Sequence, residues 1–343
     1  MKPFETLKRS GEMSRFTGWH TALLAIGVAV LLGPAPARAD DKVTIRMDWV
    51  TGGYHAAFYV GVKRGYYKQQ GLDVTVLPGN GSANVAQSLG NGNGDLASVD
   101  GGTMMQLVSK GLPVKAVMGL FQRNPNGVVY RIDSGIKKPG DLVGKTLALS
   151  NGDAPSALLP AFAKATGLDL TKVNIVNTTP AAKNASVIAG NAQANVTFAF
   201  QGIALIEAQG VPAASLDYAD YGVNVPGLAV IARLDYIKEH PDTLKKFVKA
   251  TREAVEWTSK HPQEAIDIMI EMNPGQKFVA KTEVAVLEGS FKLLHSKHTE
   301  NQPIGVMSKQ DWTEAQDLLA QYVGMTKIDD VDRYFTNEFT AEK

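Results

Sequence analysis

Two rhythms of apolar and polar positions alternate along most of the chain. Residues 43–49 (VTIRMDW) alternate with period two and predict a half-buried strand. Residues 56–70 (AAFYVGVKRGYYKQQ) follow the helical period, and Gly71 supplies a stop. Strand patterns return over 73–77, 96–99 and 114–120, separated by helical patterns over 82–89 and 103–110, with a glycine-asparagine turn at 90–94. This βαβαβαβ series predicts a doubly wound sheet. A second series follows, with strands over 146–150, 173–176 and 194–199 and helices over 155–166, 181–190 and 202–209. After a strand over 228–233 the period becomes helical. Helices over 241–260 and 262–272 each open with proline, and a helix over 308–322 opens with Ser308 and Asp311 in a capping-box-like arrangement.

Two such series with helices appended predict an α/β fold of two lobes, each a mostly parallel sheet flanked by helices. Lobe 1 takes residues 40–127, lobe 2 takes 128–227, and 228–343 return to lobe 1 and add the C-terminal helices. The chain is expected to cross between lobes near 124–131 and 224–231. Ligands in open parallel sheets sit beyond the carboxyl ends of the strands. With two lobes facing each other, that rule puts the site in the cleft between them.

The first 39 residues follow a different pattern. Lys2, Lys8, Arg9 and Arg15 precede an uncharged apolar run over 21–32, which Gly33-Pro34 breaks before Ala37-Arg38-Ala39. A basic start, a short apolar core and a small-x-small exit describe a secretory leader cleaved after Ala39. The run falls short of the roughly 20 residues that span a bilayer. Export and a periplasmic location are therefore expected. Beyond the leader the chain carries 30 basic and 32 acidic residues, which gives no electrostatic case for nucleic acid. It has no cysteine, so disulfides, thiolate metal sites and cysteine nucleophiles are excluded.

The segment from Asp48 to His55 (DWVTGGYH) is the most informative candidate for chemistry. Trp49 at a strand's carboxyl end is placed to stack on a flat ligand, with Tyr54 and His55 beside it. The alternative is that Trp49 belongs to the lobe core and His55 merely starts a helix. Asn80, in Gly79-Asn80-Gly81-Ser82, either faces a ligand or belongs to an ordinary β–α turn. Asp100 precedes two glycines that permit close backbone approach. From lobe 2, Asp153 is a helix N-cap candidate facing the same cleft, and Phe200 and Gln201, read as the end of a strand, offer an apolar wall and an amide. The negative charge of Asp153 counts against a strongly anionic ligand. Gly140 to Thr146 has three residues between its glycines where a P-loop needs four, and it precedes a strand. His295 and His298 have no carboxylate converging on them in the sequence and look like a solvated helix end, so no metal site is expected. No Gly-x-Ser-x-Gly elbow or other nucleophile signature occurs, and no cofactor is expected.

The segments MDW, HAAFYVGVKRGYYKQQGLDVTV, GDLASVD, IKKPGDLVGKTLALS, HPDTLKKFVKATREAVEWTSKHPQEA and YFTNEF follow one another from about 43 to 339. In that order and spacing they resemble the NMT1/THI5-like group of periplasmic binding proteins. The resemblance implies the two-lobed type II binding-protein fold, a monomer, and a small-molecule ligand passed to the permease of an ABC importer. The group includes binders of thiamine-pyrimidine precursors, riboflavin, alkanesulfonates and taurine. A planar heterocyclic or aromatic ligand is the leading expectation and a sulfonate or taurine the alternative. A sensor that presents ligand to a receptor kinase is equally compatible with the sequence. The group also includes pyrimidine-precursor synthases with a cysteine-rich CCCFC motif and a pyridoxal-phosphate lysine. This chain has no cysteine, and no lysine between Asp95 and Ser109, where that lysine would align. No enzymatic activity is expected. The pyrimidine binders carry an Asn-Trp-Glu-like segment roughly where Phe200-Gln201-Gly202 stands, which weakens a pyrimidine ligand specifically. The leader generates a first prediction: intact-mass measurement of the protein from its native host should give an N-terminus at Asp40. A functional full-length cytoplasmic form would defeat the localisation.

Overall fold

The computed structural model describes residues 40–340, so the leader lies outside the described residues. Among the described residues no helix is long and apolar enough to cross a membrane. The strands are β1 (Asp41–Arg46), β2 (Leu72–Leu77), β3 (Leu96–Asp100), β4 (Val114–Gly119), β5 (Asn126–Arg131), β6 (Thr146–Leu149), β7 (Asn174–Asn177), β8 (Ala194–Phe198), β9 (Ala213–Asp217) and β10 (Leu228–Arg233). They form two five-stranded sheets, ordered β2-β1-β3-β10-β4 and β7-β6-β8-β5-β9. Helices flank both sheets, and the fold is the two-lobed α/β class that the periodicity predicts.

Each sheet is mixed, with a single strand running against the rest: β10 in the first and β5 in the second. The reason is geometric. Strands of a βαβ unit run toward the cleft, whereas a strand arriving from the other lobe begins there and runs away. Accordingly Leu228, the first residue of β10, pairs with Asp100, the last of β3, and Asn126 pairs with Phe198 in the same way. The two crossing segments also hold each other. Phe121 N donates to Leu228 O at 2.8 Å, and Gly227 N donates to Phe121 O at 2.8 Å. A Cβ on Gly227 would lie 2.6 Å from Arg123 O, so glycine is what allows the two segments to run so close.

Burial follows position in the sheet. The inner strands β3 and β8 are buried at every residue, the edge strand β2 alternates along most of its length, and β7 is exposed throughout. The expected helix over 56–70 is two helices, Ala56–Lys63 and Tyr66–Gln69, because Gly65 adopts φ +77° between them. A helix at Ala280–Phe291 was not predicted from the sequence. Its apolar periodicity is weak, and it is placed by packing against the loop at Gly53–His55 and the helix Ala199–Glu207. The C-terminal helix Lys309–Val323 packs against both Gly101–Val108 and Ala154–Thr166, and thus braces the two layers together. Ser308 is its N-cap residue, but its side chain makes no capping bond. Asp311 turns away to accept from Ser296 Oγ at 2.5 Å and from His298 Nδ1 at 2.6 Å, so the expected capping box does not form.

Phe162, on the buried face of helix Ala154–Thr166, is fully enclosed and stacks on Tyr218 with centroids 4.7 Å apart. Phe162→Ala should cost about 3–5 kcal/mol through lost burial and an incompletely collapsed cavity. Urea denaturation followed by circular dichroism measures it, and a loss below about 1 kcal/mol would contradict this packing.

Candidate functional site

The chain leaving β1 builds one wall of the cleft. Asp48 O and Trp49 O accept hydrogen bonds from Gly81 N at 2.7 Å and Gly79 N at 2.9 Å, which ties this segment to the turn after β2. The Asp48 carboxylate is buried and accepts from Tyr54 OH at 3.2 Å and from His55 Nε2 at 3.0 Å. Gly52 N donates to His55 Nδ1 at 3.2 Å, so the ring proton sits on Nε2 and the imidazole is neutral. Gly53 N donates to Glu283 Oε2 at 2.6 Å, and a Cβ at Gly53 would fall 2.1 Å from Glu283 O. Burial raises the pKa of the Tyr54 phenol well above its ordinary value, reinforced by the Asp48 charge, so it stays protonated and donating. Burial likewise raises Glu283.

Opposite this wall stands the second lobe, and together they enclose about 270 Å³ of non-atom space, open mouth included. The first lobe contributes Asp48, Trp49, Tyr54 and Ser82; the second contributes Asp153, Lys183, Thr197, Phe198 and Gln201. Lys183 Nζ lies 2.5 Å from Asp153 Oδ2, with both side chains almost entirely buried. The same ammonium sits 4.6 Å from the centroid of the Trp49 ring, a cation–π contact across the cleft. The other Asp153 oxygen accepts from Ser156 N at 2.8 Å and caps helix Ala154–Thr166. Tyr54 meets Phe198 at 5.6 Å and, edge-on, Phe200 at 6.0 Å. At the rim Ala83 N donates to Gly152 O at 3.0 Å, and a Cβ at Gly81 (φ +128°) would lie 2.4 Å from that oxygen. The lobes are in direct contact at this rim.

Of the residues singled out in the sequence, Trp49, Tyr54, Asp153 and Gln201 line this cavity. His55 lies directly behind Tyr54, its ring 3.9 Å away. Asn80 is exposed and outside the lining, with its carbonyl accepting from Asn84 Nδ2 at 3.1 Å. Phe200 packs against the aromatic cluster and not on the cavity surface. Phe200 and Gln201 also do not end a strand. β8 stops at Phe198, and Ala199 N turns to Pro125 O at 2.8 Å, so both residues lie in the first turn of helix Ala199–Glu207. The glycines after Asp100 approach the crossing segment and not a ligand: Cβ atoms there would meet Pro226 O at 2.8 Å and the Val225 side chain at 2.7 Å. Lys183, Ser82 and Thr197 were missed. For Lys183 a signal existed, since it lies four residues before buried Val187 on the inward face of helix Pro180–Ile188. The histidine pair is also corrected: a carboxylate does converge on His298, that of Asp311, with Glu314 close by. It clasps the 296–298 turn, and Glu314 pairs with Lys297 at 3.7 Å.

Two facing mixed sheets joined by two crossing segments, with a cleft at the strand ends, are the architecture of periplasmic binding proteins. The chain is structurally similar to the alkanesulfonate-binding protein SsuA from Xanthomonas axonopodis pv. citri, with a TM-score of 0.65 at 15% identity over 85% of this chain and 96% of that one. The chain belongs to the NMT1/THI5-like family, whose profile matches residues 53–265. It is 26% identical to a formylaminopyrimidine-binding protein from Halalkalibacterium halodurans, over 80% of this chain and 84% of that protein. To a riboflavin-binding protein from Chloroflexus aurantiacus it is 27% identical, over 89% of this chain and 88% of that protein. Its relatives also include 4-amino-5-hydroxymethyl-2-methylpyrimidine phosphate synthases.

Asp100 is fully buried where the lobes join. Its carboxylate accepts from Thr103 N at 2.7 Å and from Asn126 Nδ2 at 3.1 Å, and Ser82 Oγ accepts from its backbone N–H at 3.0 Å. Desolvation outweighs these bonds and pushes its pKa from 3.8 up to about 6. A carboxyl raised in the folded state favours folding fully below its unfolded pKa, and that contribution is lost as pH rises to the folded value. The stability of the wild type relative to Asp100→Asn should therefore fall by about 2–3 kcal/mol between pH 3.5 and pH 7. Paired urea titrations at the two pH values test this, and a pH-independent difference would refute it.

Proposed function

We propose that this chain is an exported solute-binding protein of an ABC importer. It would capture a small planar organic molecule between lobe 1 (40–127 and 228–343) and lobe 2 (128–227), as a periplasmic monomer with its leader removed after Ala39. The observation that carries the proposal is the cavity whose opposing walls come from different lobes. Parting the lobes would widen its mouth, and the paired crossing segments would supply the place to bend. The closed form would then dock on a membrane permease.

The charges lining the cleft favour a neutral or weakly charged ligand. Lys183 is compensated by Asp153, and Asp48 faces a neutral histidine, which leaves no uncompensated cation for a sulfonate. Trp49, Tyr54 and Phe198 suit a flat ring, and Gln201, Thr197 and Ser82 offer hydrogen bonds around it. Relatives that bind a pyrimidine and a flavin agree with that chemistry. The synthase reading is disfavoured. The cleft lysine is occupied by a carboxylate at 2.5 Å and an indole face, and the cysteines of the synthase motif are missing.

Mass spectrometry of whatever co-purifies identifies the ligand, and binding to the folded state should raise the melting temperature. Trp49→Ala removes a stacking contact worth about 1 kcal/mol or more, and so should weaken that ligand about fivefold to tenfold. Calorimetric titration of folded wild type and variant is the check. Equal affinities would remove Trp49 from the site.

A further inference from the structure

The cleft lysine is compensated in charge but not in hydrogen bonds. Lys183 Nζ lies 2.5 Å from Asp153 Oδ2, and the two side chains are only 4% and 3% exposed. An ammonium carries three N–H donors and no acceptor. Asp153 takes one of them. The Trp49 ring, 4.6 Å away, attracts the charge with its face, but a π face is a weak substitute for a lone pair. Lys183 has no other hydrogen-bond partner among the described residues. A buried donor without an acceptor destabilises a fold, and a charged donor does so most.

The place of this vacancy gives it a use. Nζ lies between Asp153 of one lobe and Trp49 of the other, and all three residues line the cleft. Gln201 and Thr197, in the same lining, also make no side-chain hydrogen bond among the described residues. Charge decides which acceptor suits the ammonium. Lys183 and Asp153 sum to zero, and Asp48 adds a carboxylate whose histidine partner is neutral. An anion at Nζ would stand beside Asp153 with no cation left to offset it. A carbonyl oxygen or a ring nitrogen offers a lone pair without the charge. With the ammonium on the indole, a flat ring laid beside it meets Nζ with its edge. The lone pairs of a carbonyl or ring nitrogen lie in that same plane.

We propose that Lys183 is a specificity-determining residue of the cleft, donating to an uncharged in-plane acceptor, a carbonyl oxygen or ring nitrogen, on the edge of a planar ligand. Asp153 would hold the ammonium for that bond and exclude anions of the same shape. The inference rests on the cleft being the ligand site, and the two can be tested apart.

Benzamide and benzoate are the probes, since they match in outline and differ in charge at the acceptor. Each is titrated into the purified protein while the Trp49 indole N–H is followed by NMR. Wild type should bind benzamide about tenfold more tightly than benzoate. Asp153→Asn keeps a capping side chain on its helix but leaves the ammonium uncompensated. It should strengthen benzoate about tenfold and cancel or reverse the preference. Adding Lys183→Met to Asp153→Asn removes donor and charge together, and should weaken both probes about tenfold relative to the single variant. A salt bridge that merely holds lobe 2 together would instead cost both probes equally in every variant. Cooperative melting confirms each fold, and if the double variant fails to fold the single variant still discriminates. Benzamide shifts that do not saturate, benzoate bound as tightly as benzamide by wild type, an unchanged ratio in Asp153→Asn, or undiminished benzamide binding to a folded double variant would each overturn the assignment. Any of these results, with the co-purified molecule still dependent on Trp49, would leave the cleft as the ligand site. Loss of that Trp49 dependence would count against the cleft itself.

Discussion

One buried carboxylate fixes the geometry on which the site depends. Asp48 lies out of water with no cation beside it, and a charge so placed is tolerated only when donors surround it. Tyr54 OH and His55 Nε2 are those donors. Meeting them makes the chain double back over Gly52 and Gly53, and at Gly53 a side chain would collide with Glu283 O. That turn sets Trp49 and Tyr54 on one wall of the cleft. The histidine is committed as well, since its other nitrogen accepts from Gly52 N. The cleft wall and the contact with helix Ala280–Phe291 both follow from one charge finding its partners.

The second lobe answers that wall through strand direction. Because β5 and β10 begin at the cleft, the crossing segments lie at its base and hydrogen-bond to each other. The opposite rim is made by glycines: Gly81 and Gly152 bring two backbones close enough for Ala83 N to bond Gly152 O. A side chain at Gly81 would hold the rim apart. Base and rim therefore have different chemistry, paired crossing segments at one and bare backbone at the other, and between them Lys183 lies over the Trp49 ring.

Much of this could be read in the sequence, for reasons particular residues make plain. Alternating or continuous apolar runs revealed the strands of the βαβ units, according to whether one face or both are covered, and Asp153 was recognisable as a cap because its role is local. Trp49 and Tyr54 were placed at the cleft by the strand-end rule alone. The failures share a different cause: the deciding partner is distant in sequence. Phe200 starts a helix because Ala199 bonds Pro125, and Asp311 leaves its cap because Ser296 and His298 reach it first. Asp100 turns from the cleft toward Asn126, which arrives on the crossing strand. Lys183 reads as a surface lysine until Asp153, thirty residues earlier in the chain, is seen at 2.5 Å.

What the cleft can do follows from how its polar groups are already engaged. Asp48 is held by two donors, Lys183 by a carboxylate and a ring, and Ser82 Oγ accepts from Asp100 N. General acid–base or nucleophilic work needs a group poised to gain or lose a proton at the substrate. Here the titratable groups of the lining face one another, and their bonds hold the two lobes in shape. A ligand entering such a space would meet aromatic faces, an amide and polar groups that already have partners. This agrees with the proposed capture by lobe movement, since parting the rim would leave both the Asp48 and the Asp153–Lys183 clusters assembled within their own lobes.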